Sequence, residues 1–145
     1  MLNQWDSIVN FLLYLGVSVP LFLLGILIFF LTTPYREIVL IREGSELGNP
    51  QKVAAAKSAA FDLGGKAAGL SFVLASAIYH SVGVIDLMIW GGIGTVFLVG
   101  VFYLFEWLTP FRVVSEIPKG NVGVGIFSAF LSIASGIIMA SLISY

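Results

Sequence analysis

Cysteine is absent from this chain, and charged residues make up only 10% of it. The absence of cysteine excludes disulfide bonds, thiolate catalysis and metal sites built on cysteine. A soluble domain carries roughly 25% charged residues, so the deficit indicates side chains that are solvated by membrane lipids. The net charge of −1 leaves no basic surface, and we therefore expect no nucleic acid partner.

Enzyme signatures are also missing. The sequence has no HExxH, GxSxG or P-loop pattern, and we expect no catalytic residue, no cofactor, no bound metal and no enzymatic activity. The lone histidine, His80, lies near Asp86, but two ligands are too few for a structural metal site. The favoured interpretation is a solvent-exposed turn histidine, and a proton-binding pair is the alternative.

Long apolar runs dominate the rest of the chain. A bilayer core about 30 Å thick is crossed by roughly 20 apolar residues in a helix. Four runs reach that length, at residues 8–32, 63–82, 85–108 and 122–143. Backbone groups that face lipid have to be satisfied within their own segment. The predicted fold class is therefore an all-α integral membrane protein with four transmembrane helices.

One short motif occurs twice, each time between two apolar runs. The offset between the copies is 109 − 33 = 76. The motif residues are Thr33, Pro34 and Arg36 in the first copy and Thr109, Pro110 and Arg112 in the second. We predict two tandem hairpin repeats, residues 1–82 and 83–145. Because each repeat has two spans, an even number, both cross the membrane in the same direction as parallel repeats.

Lysine and arginine are confined to the two loops that follow the first and third spans, apart from Lys66 just inside the second span. The N-terminus, the outer turn at residues 79–86 and the C-terminus contain neither residue type. The positive-inside rule then places both basic loops in the cytoplasm and both termini outside, in the periplasm or the extracellular space.

The first cytoplasmic connection is longer than the second. Asn49 and Pro50 form an N-cap followed by proline at the first helical position, and an alanine-rich run follows them. We predict a helix from Pro50 to about Ser81 whose first part, about residues 49–62, extends past the lipid. Each Thr-Pro pair is predicted to start a short interfacial helix that ends at Gly44 or Pro118; a kinked continuation of the preceding span is the alternative.

Small residues form stripes on the second and fourth spans. Such stripes let helix backbones approach closely, which drives helix association in lipid. Packing within one subunit is the favoured interpretation, and contact between subunits is the alternative. The stripe residues are Gly65, Gly69, Ser71 and Ala75 on the second span and Ser128, Ser132, Gly136 and Ala140 on the fourth.

Three ionisable residues fall inside predicted spans or at their ends. Asp62 and Lys66 lie four residues apart on one side of a helix, so they can form an ion pair. If Glu106 points inward, Lys66 is its natural partner. The favoured interpretation is that these side chains reach the cytoplasmic surface, and the buried ion pair is the alternative. The charges are not duplicated, since Glu106 matches Phe30 at the offset of 76, and Asp62 matches Phe127 at an offset of 140 − 75 = 65.

Several segments resemble the bacterial family called domain of unknown function 350, which includes small YjfL-like inner-membrane proteins. They are Thr33-Pro34, Leu40-Ile41, residues 74–81, Ile85-Asp86 and residues 90–93. The resemblance implies a four-span, multi-pass protein of the bacterial cell inner (plasma) membrane. It implies no established activity and supplies no catalytic or binding residues. Genes of the family often lie beside envelope-stress and polyamine-related genes.

Two functional hypotheses follow. The leading one is a self-associating, non-enzymatic envelope component, linked to membrane stress, with a cytoplasmic protein partner recruited by the 49–57 extension. The alternative is a small oligomeric ion or solute channel or transporter. Four helices cannot enclose a wide aqueous path alone, so this alternative requires a homo-oligomer, which the leading hypothesis also includes.

Overall fold

The computed structural model describes residues 3–143, and within that range it consists of helices without strands. The helices are α1 (Gln4–Thr32), α2 (Glu37–Glu43), α3 (Pro50–His80), α4 (Val84–Leu108), α5 (Val113–Glu116) and α6 (Val122–Leu142). Four of them, α1, α3, α4 and α6, are long and apolar enough to cross a membrane. The predicted all-helical class with four membrane-spanning helices is confirmed.

Helix α3 begins where the sequence predicts. The Asn49 side chain accepts hydrogen bonds from the backbone N–H groups of Gln51 (3.1 Å) and Lys52 (3.2 Å), which have no partner within the helix. Pro50 takes the first helical position, where its missing N–H costs nothing. The helix ends at His80, because Ser81 is extended.

Helices α3 and α6 make the closest contact in the fold. A Cβ atom added to Gly65 would collide with the backbone of Ala129, and one added to Gly136 would collide with that of Gly69. The small-residue stripes therefore lie against each other within one chain. Ser128 is buried in this contact, Ala140 accepts a hydrogen bond from Ser76 (2.6 Å), and the backbone of Ser132 touches Gly69, while Ser71 and Ala75 are exposed.

The two Thr-Pro segments share a backbone geometry. Thr33 and Thr109 are extended, and each N–H bonds back to the preceding helix, at 2.8 Å and 2.9 Å. The short helices α2 and α5 follow as separate elements, with Arg36 and Arg112 as their N-caps. They start three residues after the prolines rather than at them, because the intervening backbone is not helical. Helix α2 ends at Gly44 as predicted, whereas α5 stops before Pro118.

Of the four long helices, α1 packs least against the rest of the chain. It runs unbroken through Pro20. The residues that it buries, Gly25 and Phe29, lie near its C-terminal end. The membrane-embedded core lies where that end meets α3 and α4, around Phe29, Leu70 and Leu98. A second core cluster, which includes Tyr35 and Phe102, lies around the two Thr-Pro segments. It borders the candidate site.

Candidate functional site

Lys66 is the centre of a buried polar group on α3. Its Nζ atom lies 2.7 Å from Asp62 Oδ2 and 3.1 Å from Glu37 Oε1, and it donates to Thr33 Oγ1 at 2.9 Å. The exposed fractions are 3% for Lys66, 0% for Asp62 and 1% for Glu37. The ammonium group also lies 4.4 Å from the centroid of the Phe102 ring, a favourable cation–π distance.

Asp62 accepts two hydrogen bonds and pairs with one cation. The hydrogen bonds come from the Tyr35 hydroxyl (2.6 Å) and the Ser128 hydroxyl, and the cation is the ammonium group of Lys66. An ionised carboxylate is an acceptor only, and these partners match that need. Burial, followed by the charge of Asp62, raises the pKa of the Tyr35 phenol, so Tyr35 remains a donor at neutral pH. We call Thr33, Tyr35, Glu37, Asp62, Lys66 and Ser128 the charge cluster.

Local structure explains how separate segments reach this place. Asp62 and Lys66 are one helical turn apart on the same side of α3, as their spacing predicts. The link after α1 places Thr33 and Tyr35 against that side of α3. Helix α2 then begins with Glu37, which is buried. The charge cluster therefore joins the α1–α2 link, the first turn of α2, the middle of α3 and, through a serine, α6.

Glu106 lies outside the charge cluster. Its Oε2 atom accepts the backbone N–H of Val114 at 3.1 Å, beside an open cavity of about 490 Å³ that Trp107 and Arg112 help to line. The pairing of Glu106 with Lys66, expected only if Glu106 pointed inward, does not form, because Glu37 takes that place. The physical reason is that the first turn of α5 offers an N–H group without a helical partner, which the carboxylate caps.

The outer turn between α3 and α4 contains His80 and Asp86. The His80 Nδ1 atom lies 3.0 Å from the Ser76 carbonyl oxygen and 3.2 Å from its hydroxyl. Asp86 accepts the backbone N–H of Val82 at 3.1 Å. Both side chains thus make local bonds around the helix ends.

The second half of the chain fills the corresponding place with apolar side chains. The offsets are 113 − 37 = 76 for the loop positions and 131 − 66 = 65 for the helix positions. At these offsets the counterparts of Tyr35, Glu37, Asp62 and Lys66 are Phe111, Val113, Phe127 and Leu131. The rings of Phe111 and Phe127 pack edge to face with centroids 5.4 Å apart, and Val113 is 2% exposed.

This difference between the two halves indicates that packing at this place does not require charged side chains. Buried ion pairs are often replaceable by apolar residues without loss of stability, and the second half of this chain contains such an apolar arrangement. Ionisable groups in membrane proteins usually have a functional reason. The charge cluster is therefore the best candidate site.

Sequence reasoning identified the pairing of Asp62 with Lys66, but its favoured interpretation, that both side chains reach the cytoplasmic surface, is wrong because both are buried. It did not identify Glu37 or Tyr35. Comparing Glu37 with Val113 across the repeats would have drawn attention to it.

The comparisons with known proteins agree with the fold. A family model described as Domain of Unknown Function (DUF350) matches residues 2–143. The chain is similar to the UPF0719 transmembrane protein YshE of Bacillus subtilis (strain 168), with 27% identity over 143 residues, 97% of this chain and 98% of the relative. No solved structure matches. Together with the four apolar helices, this relative supports a multi-pass membrane protein. The chain belongs to the domain of unknown function 350 family.

Proposed function

We propose that the chain is a non-enzymatic, multi-pass component of the bacterial cell inner (plasma) membrane that works by self-association. In this proposal the two hairpins are parallel repeats, their basic loops face the cytoplasm, and both termini lie outside. The distribution of lysine and arginine in the sequence supports that orientation. Membrane stress is the proposed setting, on the strength of the family resemblance.

The packing of α1 is the observation that carries self-association. This helix has 29 residues and buries two, whereas α3 has 31 residues and buries eleven. Its first two-thirds contain no fully buried residue, although Leu21 and Phe22 pack against the core. Association in lipid depends on close packing between helices, and α1 retains a long surface for it.

The segment around Pro20 indicates where a second copy would pack. Proline has no N–H, so the Gly16 carbonyl lacks its usual helical donor. Gly16 is exposed, and a Cβ atom added there would meet nothing within 4 Å. A carbonyl without a partner is costly in the hydrocarbon region, and a neighbouring helix can satisfy it. We propose that the neighbour is α1 of another copy.

The test is to count subunits by single-molecule photobleaching in liposomes while the protein is diluted with lipid. The wild-type chain is expected to form oligomers, and Gly16→Leu is expected to dissociate at about tenfold higher protein density, because bulk separates the helices. Gly100→Leu is the matched control, since Gly100 is also exposed and open on α4. Monomers at every dilution, or equal effects of both variants, would contradict the proposal.

A cytoplasmic protein partner belongs to the same proposal. The 49–57 extension is built into the fold, since Ala55 is buried and the Gln51 side chain bonds the Lys119 carbonyl. The outer side of the extension, which carries Lys57, is exposed and supports a contact there. The variant Lys57→Glu, rather than a truncation, tests this contact. A partner captured equally by the wild-type chain and by Lys57→Glu would contradict the proposed recruitment.

The charge cluster favours one alternative, a small oligomeric ion channel or transporter. The cavity that borders Lys66 has a volume of about 10 Å³, so a path would have to form between copies. Reconstituted liposomes test this: ion flux that Lys66→Leu abolishes would support the alternative, and no flux across pH and voltage would end it.

A further inference from the structure

The charge cluster contains two buried carboxylates but one ammonium group. Asp62 and Glu37 are 0% and 1% exposed, and Lys66 is 3% exposed. If both carboxylates were ionised, the cluster would carry a net charge of −1 away from water. A buried charge without compensation is far more costly than a paired one. The cluster therefore needs one more positive charge.

The neighbouring elements do not supply that charge. Helix α4 contributes the Phe102 ring and the Glu106 carboxylate, whose negative charge acts on Tyr35. Helix α6 contributes the neutral Ser128, and Arg36 on the α1–α2 link is exposed. In residues 3–143, Lys66 is the cation that the ion pairs bring to these carboxylates.

A metal cation does not fit. The ammonium group of Lys66 already occupies the point where oxygen atoms of Asp62, Glu37 and Thr33 converge. The adjoining cavity of about 10 Å³ is barely large enough for one water molecule. Among the described residues, no group of three His, Cys, Asp or Glu side chains could hold a metal ion. A proton is the positive charge that needs no space.

We propose that the charge cluster binds one exchangeable proton, carried by Glu37, and that loss of this proton releases α2 from α3. Glu37 is the carrier because Asp62 accepts two hydroxyl hydrogen bonds and lies closer to the Lys66 ammonium group than Glu37 does, 2.7 Å against 3.1 Å, a setting that suits an ionised carboxylate. The proposal does not depend on self-association, since all the groups belong to one chain.

The release step conserves charge. The O–H bond of the Glu37 carboxylic acid breaks, its electron pair stays on the carboxylate oxygen, and the proton passes to water on the side of the basic loops. The carboxylate then becomes an uncompensated buried charge, which is relieved when it moves into water. Because Glu37 is the first residue of the seven-residue helix α2, its movement carries that helix.

Infrared difference spectroscopy of the full chain in lipid tests the proton. The wild-type chain is expected to show a carboxylic acid carbonyl band that persists above the pH range in which exposed carboxyl groups ionise, and that disappears as pH rises further. Glu37→Gln should lack this pH-dependent band, because an amide cannot release a proton. Glu43→Gln should keep it, since Glu43 is exposed at the other end of α2. Glu37→Val, the residue of the second repeat, is a further variant in case Glu37→Gln does not fold.

Cysteine labelling tests the movement, since the natural chain has no cysteine. The rate at Ile41→Cys, which is partly buried against the second core cluster, is divided by the rate at the exposed Gly48→Cys. This ratio removes the pH dependence of the thiol itself. It should rise with pH by up to about tenfold per unit, the limit for one proton, and stay flat when Glu37→Gln is added.

Several outcomes would overturn the proposal. One is the absence of a pH-dependent acid band in the wild-type chain, and another is an unchanged band in Glu37→Gln. Loss of the band at constant pH on addition of NaCl or KCl would assign the extra charge to a metal cation instead. A labelling ratio that is independent of pH would overturn the coupling to α2.

Discussion

Lys66 is held by groups from three separate segments of the chain. Asp62 lies on its own helix, Glu37 on α2 and Thr33 in the link after α1. Each charge has lost several kcal/mol of hydration, so the arrangement is stable only while its partners are all present. The stability of the charge cluster is therefore expected to be strongly non-additive.

Replacing Lys66 alone should be worse than replacing all three ionisable residues of the charge cluster. We expect Lys66→Leu to lower the free energy of unfolding by about 3–5 kcal/mol, because it leaves a carboxylate unpaired. The triple variant Glu37→Val, Asp62→Leu and Lys66→Leu should lose less, since it imitates the apolar second repeat. Steric trapping in bicelles measures these values. Lys57→Leu, at an exposed position on α3, is the control; a triple variant less stable than Lys66→Leu would contradict the prediction.

Tyr35 makes the fold sensitive to alkaline pH. An ordinary phenol titrates near pH 10, and burial raises the pKa of Tyr35 above that value. The folded state therefore keeps a proton that the unfolded state loses, so stability is fully present below about pH 10 and falls as pH rises beyond it. Tyr35→Phe should lack this part of the alkaline loss in thermal melts, whereas Tyr79→Phe, at a position 84% exposed, should retain it.

The residues of the charge cluster were only partly predictable. The i, i+4 spacing of Asp62 and Lys66 encodes their pairing, because a helix fixes which side chains share a side. The contact of Lys66 with Glu37 spans 29 residues and depends on how the α1–α2 link folds back. No local periodicity encodes such a contact. The hydrogen-bond partner of Glu106 was not predictable for the same reason, since it depends on where α5 begins.

At the scale of elements, α3 and α6 show the strongest agreement between sequence and packing. Small residues spaced for one helix face predict a close helix pair, and the backbones of α3 and α6 do touch at Gly65 and Gly69. The Asn49-Pro50 pair similarly fixed the start of α3, because cap and proline chemistry are local. The starts of α2 and α5 were displaced by three residues, since their N-caps are arginines, which sequence rules do not favour.

Adjacent glycines on α3 provide a sharp test of this packing. A Cβ atom on Gly65 would collide with the Ala129 backbone, whereas one on Gly64 would meet nothing within 4 Å. We expect Gly65→Ala to lower the free energy of unfolding by about 1–3 kcal/mol through overpacking. Gly64→Ala should be neutral or stabilising by up to about 1 kcal/mol, through helix propensity. Effects of the same sign and size in an unfolding assay would show that α3 and α6 are not in backbone contact.

At the scale of the whole molecule, the two Thr-Pro segments lie in different chemical surroundings. Both Thr-Pro segments end a spanning helix in the same conformation and lead into a short helix. The first half then builds a charged interior, and the second half an apolar one. In our proposal the first half responds to protons, and the direction of both halves depends on the positive-inside rule.

That direction is open to a test that uses the natural absence of cysteine. Leu47 lies in the first basic loop and Val82 in the outer turn, and they are 82% and 92% exposed. Single cysteines at these positions should therefore react equally well in detergent. In intact cells, a maleimide that cannot cross the membrane should label Val82→Cys and leave Leu47→Cys unmodified until the membrane is permeabilised. Because the loops alternate between the two sides, the reverse pattern would invert every span and place the charge cluster near the outer surface, where its proton would exchange with the opposite compartment.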